Sequence, residues 1–394
     1  MLIEKIKGLA EEIYTDVVNK RRHLHANPEL SFEEFETSKY VKEQLTALNI
    51  PYTEIANTGV LGIIKGDLPS DKVIALRADM DALPILETND VSYKSTNPGV
   101  MHACGHDVHT SSLLGTATIL SRLKSEFGGT IKLLFQPAEE KLPGGASLMI
   151  KDGALENPKP AAVMGQHVMP LIEAGKVGIR AGKYMASSDE IYITIKGKGG
   201  HGAQPQENID PVVIMAHIII ALQQIVSRNA DPRIPTVLSF GKVIADGATN
   251  VIPNEVIVHG TFRTLDEAWR NSAKEKMKKM AESIAEGMGG SCDFNIVNGY
   301  PFLVNEEKLT ASVKQNLVNY MGAENVIDLD IWMAAEDFAY YSQVSDACFY
   351  RLGTGNKEKG ITSSVHTPTF DIDESALKIS TGLMAYSAIK ELGF

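Results

Sequence analysis

Cysteine is scarce in this chain: three in 394 residues, Cys104, Cys292 and Cys348. An odd number of widely spaced thiols does not make a disulfide framework. It points to a reducing, cytoplasmic compartment, with a mature secreted protein as the alternative. Positive charge is also in deficit. Lys and Arg number 38 against 49 Asp and Glu, a net charge of −11. That balance argues against a protein that grips nucleic acid by its phosphates and against a polybasic membrane anchor. Long apolar runs are missing too, none approaching the ~20 residues of a membrane helix. Charges interrupt the opening Met1-Leu2-Ile3-Glu4-Lys5-Ile6-Lys7, where a secretory signal would be apolar. No internal repeat or low-complexity segment is visible.

What is present is an ordinary globular composition, 44% hydrophobic and 22% charged, long enough for two or three domains. Apolar residues at helical spacing mark residues 2–20 and 35–48. Short β-rich runs follow at 59–64 and 73–79, a helix after Asp107, and strands at 130–136 and 161–167. Strands alternating with helices predict an α/β layer with a largely parallel sheet. The middle differs. Strand 190–196, helix 211–226, strands 236–243 and 255–263, helix 266–288 and strand 292–297 give the order βαββαβ of a ferredoxin-like module. The expected organisation is therefore an α/β domain made by both ends of the chain, residues 1–186 and 301–394, with a central, mostly parallel mixed sheet flanked by helices. Residues 187–300 form an inserted ferredoxin-like module.

The chemistry-bearing residues gather at predicted strand ends, where ligands collect in open α/β sheets. Asp79 and Asp81 follow an apolar strand within Arg77-Ala78-Asp79-Met80-Asp81-Ala82-Leu83-Pro84; for Asp79 alone, turn chemistry is a sufficient reading. Three histidines and a cysteine crowd His102-Ala103-Cys104-Gly105-His106-Asp107-Val108-His109. Cys104 and His106 cannot share a helix face, but a turn at Gly105 lets them converge. Glu139 and Glu140 stand side by side after a strand, so one carboxylate can bind metal while the other faces a water. His167 ends a predicted strand, and His366 sits in a loop near the C-terminus. Cys104, His106, Glu140, His167 and His366 are too many for a closed four-coordinate zinc site and suit two divalent metals sharing one bridging ligand. The thiolate favours zinc, and the imidazole and carboxylate share leaves manganese, cobalt and nickel open.

These motifs resemble the aminoacylase/carboxypeptidase superfamily of co-catalytic metallohydrolases, in the amidohydrolase branch with hippurate hydrolase and the indole-acetyl-amino-acid hydrolases. The match runs from Arg21–Phe32 through Arg77–Pro84, His102–His109, Gln136–Glu140, Gly199–Ala203, Thr249–Pro253 and Glu336–Phe338 to His366–Asp373. The resemblance implies that Cys104 bridges the metals, that His106, Glu140, His167 and His366 complete their shells, and that Glu139 is general base and acid. Asp79 stands where the wider superfamily has a metal-binding His, and Asp81 becomes an orienting residue behind the ligands. By the same resemblance His201, flanked by glycines, reaches an active site across a dimer interface. Asn250, in a loop between strands, is a candidate substrate contact, and Arg263 a candidate bidentate partner for a substrate carboxylate.

The implied activity is hydrolysis of the amide of an N-acyl-L-amino acid (N-acetyl, benzoyl or similar), or of a short dipeptide, by a metal-activated water. By the same resemblance the α/β domain is catalytic and the inserted module is a lid that also dimerises, giving a homodimer with no nucleic-acid or membrane partner. The apolar Ile218-Ile219-Ile220 of that module either helps the interface or packs on its own sheet. Three rivals stand beside this reading: a dipeptidase or carboxypeptidase, a fold that has lost catalysis and only binds, and a cysteine hydrolase using Cys104 with His106 or His109. The last leaves Glu140, His167 and His366 without a role. Leu352-Gly353-Thr354-Gly355 lacks the rest of a nucleotide fingerprint and reads as a substrate-side turn. Glu336 and Asp337 read as structural, and Cys292 and Cys348 as core thiols.

Overall fold

A computed structural model describes residues 2–394, and the chain divides into two compact units. The first comprises Met1–Gly182, Val304–Asp330 and Asp337–Phe394, the second Lys183–Leu303 and Ile331–Glu336.

The first unit is built on an eight-stranded sheet. In spatial order its strands are Tyr52–Ile55, Gly59–Lys65, Gly128–Gln136, Leu68–Asp79, Ala162–Glu173, Asp346–Gly355, Val177–Ile179 and Val326–Asp328. The four strands from Gly128–Gln136 to Asp346–Gly355 pair in parallel. Strands covered on both faces read as unbroken apolar runs rather than as alternation, and Val73 to Asp79 is buried throughout. Helix His106–Arg122 is buried from His106 to Leu120. It packs against the sheet and against helices Tyr14–Ala26 and Ala376–Leu392. This is the mostly parallel mixed sheet flanked by helices that the alternation of strand and helix predicts.

Three details depart from the sequence-based expectation. The opening helix divides at Ile13 into Leu2–Glu12 and Tyr14–Ala26, although the buried stripe Ile6, Ala10, Ile13, Val17 continues across the break. Strand Ala162–Glu173 does not end at His167, because Asp346–Gly355 continues to pair with it through Leu352↔Val168 and Gly355↔Glu173. Leu352–Gly355 is accordingly buried strand rather than a turn. Its glycines answer a steric demand, since a Cβ on Gly353 would fall 2.2 Å from the Glu173 carbonyl oxygen and one on Gly355 2.1 Å from that of Pro170. The three-residue strands Val177–Ile179 and Val326–Asp328 are too short for a period to announce them.

The second unit has a four-stranded antiparallel sheet in the spatial order Thr236–Ile244, Glu255–Thr264, Asp189–Lys196, Ser291–Asn298. Helices Pro211–Gln224 and Glu267–Gly287 complete the expected ferredoxin-like order. Ile191, Ile193 and Ile195 alternate onto one face of the sheet and meet Ile214, Ile218 and Leu222 from one helix and Ala273, Met277 and Ala281 from the other. The helix is capped by Asp210, whose carboxylate accepts from the Val212 and Val213 amides. Its helical stretch Pro211–Asn229 is long and apolar enough, by length and composition, to cross a membrane. The sequence-based helix ends at 226, short of the ~20 residues of a membrane helix, and the added turn Ile225–Asn229 carries the helical stretch past that bound.

One buried ion pair fastens helix to sheet in this unit. Asp189, fully buried, accepts from Arg270 Nε at 2.7 Å and Nη2 at 2.8 Å and meets Lys274 Nζ at 2.9 Å. Removing the anion leaves the buried Arg270 Nε without its acceptor, with Glu267, 3.0 Å from Nη1, as the remaining carboxylate partner. Asp189→Ala is expected to cost about 3–5 kcal/mol, read as a lower denaturant midpoint. An unchanged midpoint would show that water reaches Arg270.

Candidate active site

Four stretches of the first unit bring the expected donors together. Strand Leu68–Asp79 delivers Asp81 two residues past its end, and strand Gly128–Gln136 delivers Glu139 and Glu140. Cys104 and His106 flank Gly105, the N-cap of the buried helix, in the left-handed region at φ 81°. Only glycine adopts that turn cheaply, and a Cβ there would lie 2.6 Å from Val168 Cγ2. His366 is held beside them by its amide, which donates to the Ala103 carbonyl at 2.8 Å.

Cys104 Sγ lies 3.4 Å from His167 Nε2 and 3.3 Å from His366 Nε2, and His366 Nε2 is 3.2 Å from Glu140 Oε1. Donor atoms of Cys104, His106 and His167 fall within 4.8 Å of one another, as do those of Cys104, Glu140 and His366, and those of His106, Glu139 and Glu140. Cys104, His106 and Glu140 are each shared by two of these groups, so the groups form one continuous cluster. Hydrogen bonds fix the ring nitrogens that face the cluster. His106 Nδ1 donates to Asp81 Oδ1 at 3.1 Å and His167 Nδ1 to the Val168 carbonyl at 2.8 Å. Both Nε2 atoms are thereby turned inward, the arrangement metal-binding histidines use. His106 Nε2 is buried without a hydrogen-bond partner.

The local charge fits a cation. Burial opposes charge on His106, yet the Asp79 and Asp81 carboxylates outweigh it and push its pKa up to about 10. Burial, then the Glu140 and Glu139 carboxylates, lift the Cys104 thiol well above its ordinary 9.0. Burial, reinforced by Arg351, keeps His167 neutral and ligand-ready, well below 6.5. An orphaned donor, inward lone pairs and nearby carboxylate charge all match a site for divalent metal.

The Glu139 loop is gripped by two buried carboxylates. Glu34 Oε1 accepts from the Ala138 amide at 2.8 Å, Asp81 Oδ1 from the Glu139 amide at 3.0 Å and Asp81 Oδ2 from the Glu140 amide at 3.0 Å. Asp81 Oδ2 also accepts from Ser31 Oγ at 2.6 Å, and Glu34 Oε2 from Thr58 Oγ1 at 2.7 Å. Three successive amides are thus satisfied by charged acceptors, which holds Ala138 at its φ of 47°. The Asp337 amide donates to Glu139 Oε1 at 3.3 Å. The Asp337 carboxylate takes the Ala146 amide at 2.9 Å and Arg77 Nη2 at 2.8 Å. Glu34 and Asp337 are the residues the sequence reading missed as part of the site. Both lie in or beside motifs that carry the resemblance, but the Glu34 carboxylate acts 104 residues away along the chain and the Asp337 amide 198.

The remaining candidates lie in the second unit. His201 is exposed on the ribbon Gly200–His201, which pairs with Val251–Ile252. The Gly202 amide donates to the Asn250 carbonyl at 2.8 Å, so His201 and Asn250 neighbour each other. His201 Nδ1 accepts from the Ala203 amide at 3.0 Å, which leaves the proton on Nε2. Arg263, on strand Glu255–Thr264, donates to the Met333 carbonyl at 3.2 Å. Among the described residues it meets no carboxylate, and burial lowers its pKa. Cys348 is buried in its strand and Cys292 partly so; all three cysteines are free thiols.

Residues 75–390 match the model of peptidase family M20/M25/M40. The chain is 45% identical over 309 residues to an N-acyl-L-amino acid amidohydrolase of Geobacillus stearothermophilus, covering 78% of this chain and 83% of that one. It is 39% identical over 393 residues to thermostable carboxypeptidase 2 of Saccharolobus solfataricus, covering 99% and 98%. Among solved structures it resembles the Bacillus subtilis YXEP protein, described as a dinuclear metal binding peptidase from the M20 family. There the TM-score is 0.83 at 34% identity, over 97% of this chain and 99% of that one. With sequence, fold and site in agreement, the chain belongs to peptidase family M20/M25/M40, hydrolases of carbon–nitrogen bonds.

Proposed function

We propose that this hydrolase releases a carboxylic acid and a free amino acid from N-acyl-L-amino acids, with short dipeptides as a second substrate class. The observation that carries the reading is the placement of Glu139. Its loop is fixed through three amides, one carboxylate oxygen is tethered to the Asp337 amide, and the other lies 4.0 Å from the unpartnered His106 Nε2.

Cys104 as bridge, with His106, Glu140, His167 and His366, would hold two divalent ions, zinc first by thiolate softness and manganese, cobalt or nickel as alternatives. When bound, the ions supply Lewis acidity to a water and to the scissile carbonyl. Glu139 accepts the proton of the attacking water and returns it to the leaving nitrogen. Asp81 holds His106 and the Glu139 amide in register while this happens. The Nε2 proton of His201 donates to the oxyanion, and Asn250 contacts substrate. Arg263 receives the carboxylate that an N-acyl-amino acid and a peptide's last residue share. A Cys104 nucleophile is disfavoured because it leaves Glu140, His167 and His366, whose donor atoms gather around the same sulfur, without a role.

The second unit, residues 187–300 at its heart, acts as lid and dimerisation domain. Supporting this are Val213 and Ile220 on the outer face of its apolar helix and Val243 and Ile244 at its sheet edge, all exposed. The free thiols fit a cytoplasmic setting.

Metal stripping and reconstitution tests the centre of this proposal. Chelated protein should release no amine from N-acetyl-amino acids, hippurate or dipeptides, and zinc, manganese, cobalt or nickel should restore release. Turnover by metal-free protein would overturn it, and full metal without turnover on the whole panel would favour a binding role. Glu139→Gln should keep its metal and lose about 10²–10⁴-fold in kcat; near-normal turnover would remove Glu139 from its role. Glu34→Ala, which strands the Ala138 amide, should lower kcat by roughly 10–100-fold with KM little changed. Glu34→Gln, which keeps an acceptor, should recover much of that, and an unchanged kcat in the alanine variant would dissociate the loop clamp from catalysis. Mixed dimers of His201→Ala and Glu139→Gln subunits should regain activity if His201 serves the partner's site; no recovery in verified heterodimers would place it in cis.

A further inference from the structure

Asp79 and His109 lie fully buried beside the donor cluster, and the mechanism above gives them nothing to do. With His106 they are close enough to hold an ion, but their polar atoms are already committed. Asp79 Oδ1 pairs with His109 Nδ1, and Asp79 Oδ2 accepts from Arg77 Nη1. His109 Nε2 accepts from the Val168 amide at 2.9 Å. A backbone amide only donates, so Nε2 carries a lone pair and the ring proton sits on Nδ1, facing the carboxylate. His109 has no lone pair left to offer a metal.

The sheet explains why a side chain meets that amide. Strand Leu68–Asp79 pairs with Ala162–Glu173 only as far as Arg77↔Gly165. Past that point Ala162–Glu173 has lost its neighbour on that side, and the Val168 amide needs an acceptor that no strand provides. His109 supplies it from the first turns of the buried helix. Val168 is also the residue whose carbonyl receives His167 Nδ1 at 2.8 Å. The His109 and His167 rings lie 4.6 Å apart, centroid to centroid.

We propose that His109 is a positioning residue for His167: the chain of bonds Asp79–His109–Val168–His167 sets the direction in which His167 Nε2 faces Cys104. The anchor of the chain is Arg77, whose guanidinium bonds Asp79 on one side and, on the other, the Asp337 carboxylate. One buried cation therefore braces both a metal-facing imidazole and the residue whose amide holds Glu139. The inference rests on the reading of His167 as a metal ligand.

Two substitutions separate this role from mere packing. His109→Gln keeps an acceptor for the Val168 amide and a donor for Asp79 at nearly the imidazole spacing, whereas His109→Phe keeps the volume and loses both. Zinc titration of metal-free protein is the readout, with bound zinc counted. The wild type should bind two ions. His109→Phe should bind one of them roughly 10–100-fold more weakly, the usual effect of removing a hydrogen-bond partner behind a ligand, and His109→Gln should stay within a few-fold of the wild type. Equal binding of both ions by His109→Phe, or equal weakness of the two variants, would overturn the proposal. A wild type that binds no zinc would instead overturn the metal reading itself. Nitrogen NMR of the wild-type imidazoles tests the relay without any variant: His109 should be protonated at Nδ1 and bare at Nε2 in the metal-free protein, and the opposite tautomer would refute it.

Discussion

The site depends on a single carboxylate that never meets solvent. Asp81, 1% exposed, accepts hydrogen bonds from Ser31, His106, Glu139 and Glu140. Burial alone would favour its neutral acid, yet the His106 ring and the other donors hold its pKa below the ordinary carboxylate range. Hydrogen bonds to a charged group contribute about 1.5–3 kcal/mol each, enough in combination to keep an ion dehydrated. The same four bonds have a geometric result. They aim one imidazole, fix two successive peptides of the Glu139 loop, and dock the N-terminal segment at Ser31 onto that loop.

Charge is distributed around this anchor in two different ways. Behind the donor cluster the carboxylates are paired with cations: Arg77 sits among Asp79, Asp337 and the Gln136 amide oxygen, and Arg21 among Asp107, Asp371 and Glu374. At the cluster itself, among the described residues, no Lys or Arg pairs with Glu140, and the surrounding carboxylates raise the pKa of His106 against its burial and add to the effect of burial on Cys104. A rigid, ion-paired backing behind a face that still calls for a cation is how a protein prepares a metal site, because the ligands need not reorganise when the ion arrives. His366, with its side chain 52% exposed, leaves that face open to solvent.

The second unit follows a simpler logic. Its core is apolar alternation from the strands against i, i+4 stripes from two helices, with Asp189 and Arg270 as a buried ionic fastener. His201 and Asn250 are carried on a two-stranded ribbon outside that core, where side chains are free to meet a ligand. The separation suits a module that presents residues on a stable platform.

Local rules made much of this legible before any coordinates. Unbroken apolar runs marked the parallel strands, and periodicity marked the helices and the βαββαβ module, because burial on both faces or on one is written in consecutive residues. Chemistry marked Cys104, His106, Glu139 and Glu140, because soft and acidic donors crowd a turn at Gly105 and a strand end. Other features were beyond local reading. Strand Ala162–Glu173 extends past His167 only because a strand nearly two hundred residues later pairs with it, and the glycines of Leu352–Gly355 looked like a turn until that pairing showed backbone oxygens where a Cβ would stand. Glu34 carries no local signal, Asp337 looked like a structural acid, and His109 like one more histidine of a crowded motif. Their work depends on which amide each one reaches, and that is set by how distant strand ends are stacked. The sequence by itself determined the donor types, the alternation of elements and the family. The tertiary structure decided which buried carboxylate holds which amide and which nitrogen of each histidine is turned inward, because hydrogen bonds across a folded core are fixed by three-dimensional register and not by neighbours along the chain.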